Sequence, residues 1–179
     1  MSDQPAGNPG TDFGARFDEH MNNEFALRSA ETTMTTMVDD PLVLHVPTSI
    51  GARGHDDVLR FYRDFFVDTF PPDFEVTNLS RTVGEERLVD EIVASFTHTC
   101  VTPIFLPGVV PTGRAVRVPM VVVVGFAGGK VASEHIYWDQ ASVLVQVGLL
   151  DPALVPARGA EQAATLESGE IDNALIAGW

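Results

Sequence analysis

Four strand-like segments follow one another closely in the second half of the chain, and they constrain the fold more than any other feature. They cover residues 74–83, 87–100, 114–126 and 130–139. Each is rich in β-branched or aromatic residues, and Ala127-Gly128-Gly129 supplies a tight turn between the last two. Because short turns join neighbouring antiparallel strands, these segments predict an antiparallel meander.

The first helix is predicted from about residue 13 to residue 37, because apolar residues recur there on one face. These residues are Phe17, Met21 and Phe25, at i, i+4 and i+8. His20 and Glu24 lie on the same arc of the helix. We expect Asp39-Asp40-Pro41 to end this helix, since proline cannot continue it.

A second helix is predicted to begin near residue 55 and to end before Pro71-Pro72. Two acidic residues in its first turn suit the positive end of the helix dipole, and a mainly aromatic stripe follows. Between the helices, residues 42–46 predict a short strand and residues 47–54 a turn-rich connection. Helices followed by an antiparallel meander predict an α+β fold, with the helices packed on one face of a curved sheet.

The chain of 179 residues fits one domain, predicted to span residues 13–155. We expect residues 1–12 to be disordered and residues 156–179 to form a C-terminal tail. A net charge of −14 without a basic run argues against nucleic acid as a partner. No apolar run reaches the roughly 18 residues that span a membrane, and no signal peptide is visible. Together with a single cysteine, Cys100, these features predict a cytoplasmic protein.

Three segments resemble SnoaL-like proteins of the nuclear transport factor 2-like superfamily. They are LPGVVPTG (106–113), FAGGKVASEHIYWDQ (126–140) and ASVLVQVGLL (141–150). The resemblance spans about residues 13–155 and implies a conical, cystatin-like α+β barrel, in which a curved antiparallel sheet packs against N-terminal helices. It also implies a pocket for a small hydrophobic molecule, no cofactor, and a homodimer formed through the outer face of the sheet. Superfamily members include polyketide cyclases, ketosteroid isomerases, dehydratases, epoxide hydrolases and binding proteins.

Shorter segments, among them RTVG, FTHT and HIYWDQ, are similar to proteins labelled carboxymethylenebutenolidase-like. In the strict sense that enzyme, dienelactone hydrolase, resembles an α/β-hydrolase with a nucleophilic cysteine on a sharp turn. This chain contains no G-x-C-x-G or G-x-S-x-G motif. Cys100, in the segment HTCVTP, is therefore not predicted to be a nucleophile.

Side-chain alternation along the last strand leaves open which face lines the pocket. Glu134, Ile136 and Trp138 share one side, and His135, Tyr137 and Asp139 share the other. Resemblance to ketosteroid isomerases places the first set towards the pocket, whereas Asp139 matches a recurrent aspartate of SnoaL-like proteins. Asp139 is alternatively a cap for the segment that begins at Ala141. His98, on the more apolar face of its strand, is either a pocket acid or base or a hydrogen-bonded core residue.

The isomerase's base and second carboxylic acid would align with Val46 and Val121, and the acid of polyketide cyclases with Ile136, so those mechanisms do not transfer to this chain. We therefore predict a different set of groups for acid–base chemistry on an apolar carbonyl compound or lactone. The predicted catalytic residues are His98, Asp139, His45, Tyr137 and His135. The predicted substrate-binding residues are His20, Glu24, Trp138, Glu134, Phe61 and Val121.

In this prediction His98 and Asp139 transfer protons, Tyr137 or His45 donates to the oxyanion, and Trp138 packs on the ligand. His20 and Glu24, at i and i+4, have the spacing of a metal-binding pair, but the chain has no HxH or HExxH motif. We therefore predict a hydrogen-bonded or solvent-bridging pair and no metal. The competing interpretation is a non-catalytic module of the same fold that binds a hydrophobic ligand or mediates dimerisation.

Overall fold

The computed structural model describes residues 12–176, and a six-stranded sheet forms its centre. The strands are β1 (Met37–His45), β2 (Ile50–Arg53), β3 (Glu75–Val83), β4 (Arg87–Thr97), β5 (Ala115–Ala127) and β6 (Lys130–Trp138). Their order in the sheet is β2-β1-β6-β5-β4-β3. Strands β1 and β6 pair in parallel, and the other neighbours pair antiparallel. The sheet is curved and unclosed, which confirms the predicted α+β class and modifies the antiparallel prediction at one pair.

Five α-helices accompany the sheet within the described residues. They are α1 (Phe13–Phe25), α2 (Ala30–Thr35), α3 (His55–Phe61), α4 (Gln140–Gln146) and α5 (Glu161–Ser168). Helix α3 continues into a π-helical turn, Tyr62–Phe66, so the predicted second helix is confirmed. The longest of these helices, α1, has 13 residues, and none in this part of the chain is long and apolar enough to cross a membrane.

The predicted single helix over residues 13–37 is wrong, because the chain breaks it after Phe25. Arg28 takes a positive φ of 49°, and Ser29 caps α2 by accepting a hydrogen bond from the Thr32 amide. Asp39-Asp40-Pro41 does not end a helix but lies inside β1, where the pairing with β6 shifts between Met37 and Leu42. A proline is tolerated at such a bulge because no ladder hydrogen bond is required of it.

The connection predicted at residues 47–54 contains β2, which pairs antiparallel with the end of β1. The four later strands are confirmed, although β4 ends at Thr97 rather than near residue 100. The predicted turn between β5 and β6 is also confirmed. Gly128 and Gly129 both have positive φ, 56° and 80°, as a two-residue hairpin turn of the favoured twist requires.

The pairing of β5 with β6 decides which face of the last strand points inward. Val122 lies opposite Ile136, and Val124 lies opposite Glu134. All four side chains are buried in the concave face of the sheet, which packs on α1 and α3. Alternation then places His135, Tyr137 and their neighbour Val121 on the outer face.

The C-terminal segment contains a helix that packs on the sheet. Ala163 of α5 is fully buried, and Arg117 of β5 donates to both carboxylate oxygens of Glu167, at 2.7 and 2.8 Å. The boundary predicted at residue 155 therefore separates elements that are in contact, and the division into domain and tail stays a prediction. The predicted disordered segment, residues 1–12, lies outside the described residues except for Asp12, which caps α1.

Candidate functional site

A narrow, mostly apolar cavity lies between α1, the π-helical turn and the concave face of the sheet. Its volume is about 50 Å³. Its wall is largely aromatic, contributed by Phe17, Phe25, Phe66, Phe70, Phe74 and Phe105. Four polar side chains interrupt this wall, namely Glu24, His45, Tyr62 and Glu134. An apolar pocket with a few convergent polar groups is the usual form of a small-molecule site.

Each polar side chain reaches the cavity from a different element. Glu24 lies on α1, one turn after His20, and Glu134 lies at the middle of β6. His45 is the last residue of β1 and lies beside Ile136 of β6. Tyr62 begins the π-helical turn, a local widening of the helix that is frequent at functional sites.

His20 lies behind the cavity wall and contacts both acidic residues. Its Nε2 atom is 2.6 Å from Oε1 of Glu134 and 3.1 Å from Oε1 of Glu24. The Tyr62 hydroxyl is 3.3 Å from the same nitrogen. All four side chains are buried, and we refer to them as the His20 cluster.

The other ring nitrogen of His20 fixes the position of one proton. Nδ1 lies 2.6 Å from Oγ1 of Thr36, whose own hydroxyl donates to the Thr33 carbonyl at 2.6 Å. Because the Thr36 proton is already engaged, its oxygen accepts the hydrogen bond from Nδ1–H. Nε2 then faces two carboxyl groups, and a second proton on this nitrogen makes His20 an imidazolium.

Electrostatics favour that charged form. Burial lowers the pKa of His20, but the negative charges and hydrogen bonding of Glu134 and Glu24 outweigh it and raise the pKa to about 10. Burial also raises the pKa of Glu24, and the charge of Glu134 adds to this effect. Burial, followed by the two carboxylates, raises the pKa of Tyr62 well above its ordinary value. The cluster therefore joins an imidazolium to two buried carboxyl groups, and burial favours the protonated form of Glu24.

Two buried atoms on the cavity wall lack a hydrogen-bond partner among residues 12–176, namely Oε1 of Glu24 and Nδ1 of His45. Oε1 of Glu134 lies 2.6 Å from Nε2 of His20 and accepts its hydrogen bond. Because one N–H cannot serve two oxygens, the 3.1 Å contact leaves Oε1 of Glu24 without a donor. Buried polar atoms are nearly always paired in folded proteins, so groups left over at a cavity are available to a ligand.

Three aromatic side chains surround the ring of His45. Its ring centre lies 5.6 Å from that of Phe61, 5.8 Å from that of Phe66 and 6.0 Å from that of Trp138. Burial lowers its pKa to about 4, although the charge of Glu134 opposes the shift. A neutral imidazole on the cavity wall can accept or donate a hydrogen bond without introducing a charge.

His20, Glu24 and Glu134 are also the group whose metal-binding atoms come together in the described part of the chain, within 4.8 Å of one another. Two ligands of a tetrahedral site with bonds of about 2.05 Å lie about 3.3 Å apart. The 2.6 Å separation between His20 and Glu134 is shorter and matches a charge-assisted hydrogen bond. As arranged here, the three side chains fit a shared proton better than a metal ion.

The structure does not bring the predicted proton-transfer pair, His98 and Asp139, to the cavity. His98 follows β4, is buried away from the cavity wall, and accepts a hydrogen bond at Nδ1 from the Thr112 amide at 3.3 Å. Asp139 is exposed and caps α4 by accepting from the Ala141 amide at 2.9 Å. It also accepts from Gln162 of α5 at 2.6 Å. These contacts agree with the interpretation of Asp139 as a helix cap.

Three further predicted site residues lie on the outer face of the sheet. Tyr137 is 43% exposed and Val121 is 37% exposed, and the two lie directly opposite each other. His135 shares their face because alternation turns it away from the cavity. Phe61 and Trp138 contact His45 without lining the cavity, so they position that ring. The predicted set that the cavity does assemble is His45, Glu24 and Glu134, with His20 behind them.

Two members of the site were not predicted as functional from the sequence. Tyr62 falls in the aromatic stripe of the second helix, and nothing in its spacing separates it from the core residues around it. Thr36 fell within the predicted first helix and had no reason to meet His20. The sequence did carry one indication of this contact. Each of the two helices has a polar residue on its inward arc, His20 in the first and Tyr62 in the second.

The SnoaL-like domain family matches residues 19–134, which is more than half of the chain. No curated protein matches the chain. A candidate SnoaL-like polyketide cyclase from Jannaschia sp. CCS1 superposes with a TM-score of 0.58 at 18% identity, covering 84% of this chain and 99% of that one. AclR, a candidate hydroxylase from Streptomyces galilaeus, gives 0.57 at 20% identity, covering 85% and 96%.

A third similar structure is SalBIII, an epoxide hydrolase/cyclase-like enzyme in pyran ring formation in the polyether salinomycin. It gives a TM-score of 0.52 at 12% identity, covering 73% of this chain and 95% of SalBIII. At these identities the likeness establishes the fold alone, and it agrees with the curved sheet and helices described above. The chain belongs to the SnoaL-like domain family.

Proposed function

We propose that this protein is a small-molecule enzyme that moves a proton next to the carbonyl group of an apolar ketone or lactone. Glu134 acts as the base, protonated Glu24 as the acid, and His45 as a neutral hydrogen-bonding group. His20 touches no substrate and acts as a positioning residue, because it holds the two carboxyl groups in different protonation states.

The observation that carries this proposal is the set of unpartnered atoms on the cavity wall. Oε1 of Glu24 and Nδ1 of His45 are buried among aromatic rings and lack partners among the described residues. Leaving a buried polar atom unpaired costs about 1–3 kcal/mol, so two together on one wall are expected only where a ligand completes them. Burial also raises the pKa of Glu24 and so favours the protonated form that a catalytic acid requires.

The proposed reaction starts with a carbonyl compound in the cavity. The Glu134 carboxylate removes a proton from the carbon beside the carbonyl, and the electron pair moves to the carbonyl oxygen. Glu24 donates a hydrogen bond, or its proton, to that oxygen as negative charge develops. Return of the proton to another carbon gives isomerisation, and attack of the enolate within the same molecule gives cyclisation.

The resemblance to carboxymethylenebutenolidase-like proteins supports a lactone as an alternative substrate. In that case Glu134 would remove a proton from water, which would attack the lactone carbonyl, and Glu24 would protonate the leaving oxygen. The cyclase and epoxide hydrolase/cyclase names of similar structures support the same general chemistry.

The test is exchange of carbon-bound hydrogen, which needs no knowledge of the natural substrate. Cyclohex-2-enone in D₂O is incubated with the protein, and loss of the signals of its exchangeable hydrogens is followed by proton NMR. Positioned acid–base groups contribute about 10²–10⁴-fold, so we expect Glu134→Gln to slow exchange by a factor in that range. Glu24→Gln is expected to slow it less, since the amide still donates a hydrogen bond.

Glu91→Gln is the matched control. Glu91 lies in β4 opposite Val121, on the outer face of the same sheet, so this variant should exchange at the wild-type rate. Wild-type rates in both Glu134→Gln and Glu24→Gln would contradict the assignment of acid and base.

The competing function is a non-catalytic module that binds a hydrophobic ligand in the same cavity. The aromatic wall favours it, since six phenylalanines surround only four polar groups. It predicts that wild-type protein binds small apolar ketones and lactones but accelerates neither exchange nor ring opening.

A homodimer through the outer face of the sheet is also proposed. Val121 and Tyr137 form an exposed cross-strand pair there, while α4 and α5 contact β5 beside it. A second copy of the chain would bury this pair. We expect Val121→Glu to convert a dimer to a monomer in light scattering after gel filtration, and an unchanged mass would contradict this contact.

A further inference from the structure

A second, larger concavity adjoins the cavity, on the side where α1 faces β3 and β4. It has a volume of about 360 Å³, and we refer to it as the outer bowl. Five apolar side chains line both the cavity and the outer bowl, namely Met21, Phe25, Phe74, Val76 and Ile92. Because they line both spaces, these side chains form the partition between them.

The volumes indicate that the two spaces serve one ligand. Pockets that hold drug-sized molecules measure about 300–1,000 Å³, and the 50 Å³ of the inner cavity is far below that range. A molecule whose reactive carbonyl reaches Glu24 and Glu134 must therefore place most of its atoms elsewhere. The outer bowl is the adjoining space large enough to receive them.

The partition is built from side chains that can move. Phe25 is the last residue of α1, and its ring stacks on Phe74 with centres 5.7 Å apart and an interplanar angle of 13°. Both rings and Met21 are only half-buried. Methionine is flexible and adapts to irregular partners. These side chains can therefore change position without disturbing the sheet.

The polar rim of the outer bowl determines which end of a ligand it accepts. Asn22 and Asn78 are exposed and offer amide donors and acceptors. The one cationic side chain lining the bowl, Arg81, is already engaged: it bonds both oxygens of Asp90 at 2.7 Å and Asp18 at 2.8 Å. The charges of Asp18, Asp90 and Arg81 give the bowl a net charge of −1, and the whole chain has a net charge of −14.

We propose that the outer bowl binds the polar, non-anionic end of an elongated apolar substrate whose carbonyl lies at Glu24 and Glu134. The head group carries hydroxyl or ammonium donors, and carboxylate or phosphate ends are rejected by the charge of the bowl. This inference rests on the proposed function for the position of the reactive end, and it adds the class of substrate.

The test compares three synthetic probes by isothermal titration calorimetry. They share a naphthalene ring and a four-carbon chain that ends in a hydroxyl, an ammonium or a carboxylate group. We expect the alcohol and the amine to bind and the carboxylate to bind more weakly, by up to about fivefold, since one exposed charge contact changes affinity by up to that factor. Equal affinities for all three probes, or binding of none, would overturn the proposal.

A charge introduced at the rim gives a second, independent arm. Asn78→Lys is expected to weaken binding of the amine and strengthen binding of the carboxylate, changing their affinity ratio about 2- to 30-fold when both effects are counted. Thr77→Lys is the matched control, because Thr77 precedes Asn78 on β3, points to the opposite face and does not line the bowl. The same ratio in both lysine variants would also overturn the proposal.

The outcomes separate this inference from the proposed function. Head-group selectivity without catalysed hydrogen exchange would support the outer bowl as the binding site for the polar end and contradict the acid–base role of Glu134. Loss of exchange in Glu134→Gln without head-group selectivity would retain the acid–base role and remove the outer bowl as the binding site for the polar end.

Discussion

Raising the pH from 7 to 9 should destabilise the folded protein, because folding holds a proton on His20 that the unfolded chain releases. The contacts with Glu134 and Glu24 raise the pKa of His20 from 6.5 to about 10. Its contribution to stability is therefore complete below about pH 6.5 and is lost as the pH rises towards and through 10. The raised pKa of Glu24 acts in the same direction, since its protonated form is also the favoured one in the folded state.

The magnitude follows from proton linkage. Between pH 7 and 9 the folded state holds nearly one more proton on His20 than the unfolded state does. At about 1.4 kcal/mol per pH unit, the free energy of unfolding should fall by about 2–3 kcal/mol. For a chain of this length that corresponds to a Tm about 5–10 °C lower at pH 9. Urea unfolding at pH 7, 8 and 9, followed by circular dichroism, measures the change directly.

Two variants make the attribution specific. His20→Gln leaves two buried carboxyl groups without their cation, so we expect a loss of about 3–5 kcal/mol at pH 7. Stability should fall further up to pH 9, because burial makes those carboxyl groups hold their protons in the folded state. His135→Gln, on the outer face of the same sheet, should keep the wild-type pH dependence. A wild-type stability that does not change between pH 7 and 9, or a weaker pH dependence in His135→Gln, would refute this assignment to His20.

Three further predictions concern other parts of the fold. Asp139→Ala removes the cap of α4 and should lower the free energy of unfolding in urea by about 1 kcal/mol, while the protein still catalyses hydrogen exchange in cyclohex-2-enone. Loss of that catalysis in a folded variant would restore Asp139 as a catalytic candidate. Gly51→Ala places a Cβ against the Val43 carbonyl, so it should destabilise the fold by more than about 1 kcal/mol. Gly84→Ala, whose added Cβ has its nearest atom at 3.5 Å, should not, and equal Tm values for the two variants would contradict the close approach of β2 to β1. Arg81→Met leaves the buried Asp90 unpaired, so the double variant Arg81→Met with Asp90→Leu should be more stable than Arg81→Met alone. Additive losses in the free energy of unfolding would show that the two side chains are not coupled.

The sheet could be predicted from the sequence because its signals are local. The Gly128-Gly129 turn and the alternation along β5 and β6 depend on neighbouring residues alone, and both are confirmed. The break after Phe25 was missed because the apolar spacing of α1 has no visible stop signal there. It depends instead on Ser29 capping α2 and on the backbone of Arg28.

The inward face of β6 could not be decided from the strand itself, because each side carries groups able to transfer protons. It is set by register: Val122 and Val124 of β5 bring Ile136 and Glu134 to the concave face. Asp139 is predicted to be catalytic because it matches a recurrent aspartate of SnoaL-like proteins, and His98 because it lies on the more apolar face of its strand. Their roles depend on long-range partners, Gln162 of α5 for one and Thr112 for the other.

The His20 cluster combines parts that the sequence could and could not show. The spacing of His20 and Glu24 placed both on the inward arc of α1, as the structure has them. Their convergence with Glu134 and Tyr62 joins residues up to 114 positions apart in the chain and follows from the packing of α1 across the sheet. Without that packing, neither the charge of His20 nor the neutrality of His45 could be derived.

The proposed chemistry depends on the protonation states of His20 and His45, and nitrogen-15 NMR of the five imidazole rings at pH 8 measures them. We predict that His20 carries protons on both ring nitrogens, whereas His45 is neutral, in keeping with pKa values of about 10 and about 4. Glu134→Gln should lower the pKa of His20 and leave that of His45 low. A neutral His20 at pH 8 in the wild-type protein would contradict the account, because Glu24 and Glu134 would then have no buried cation to hold them in different protonation states.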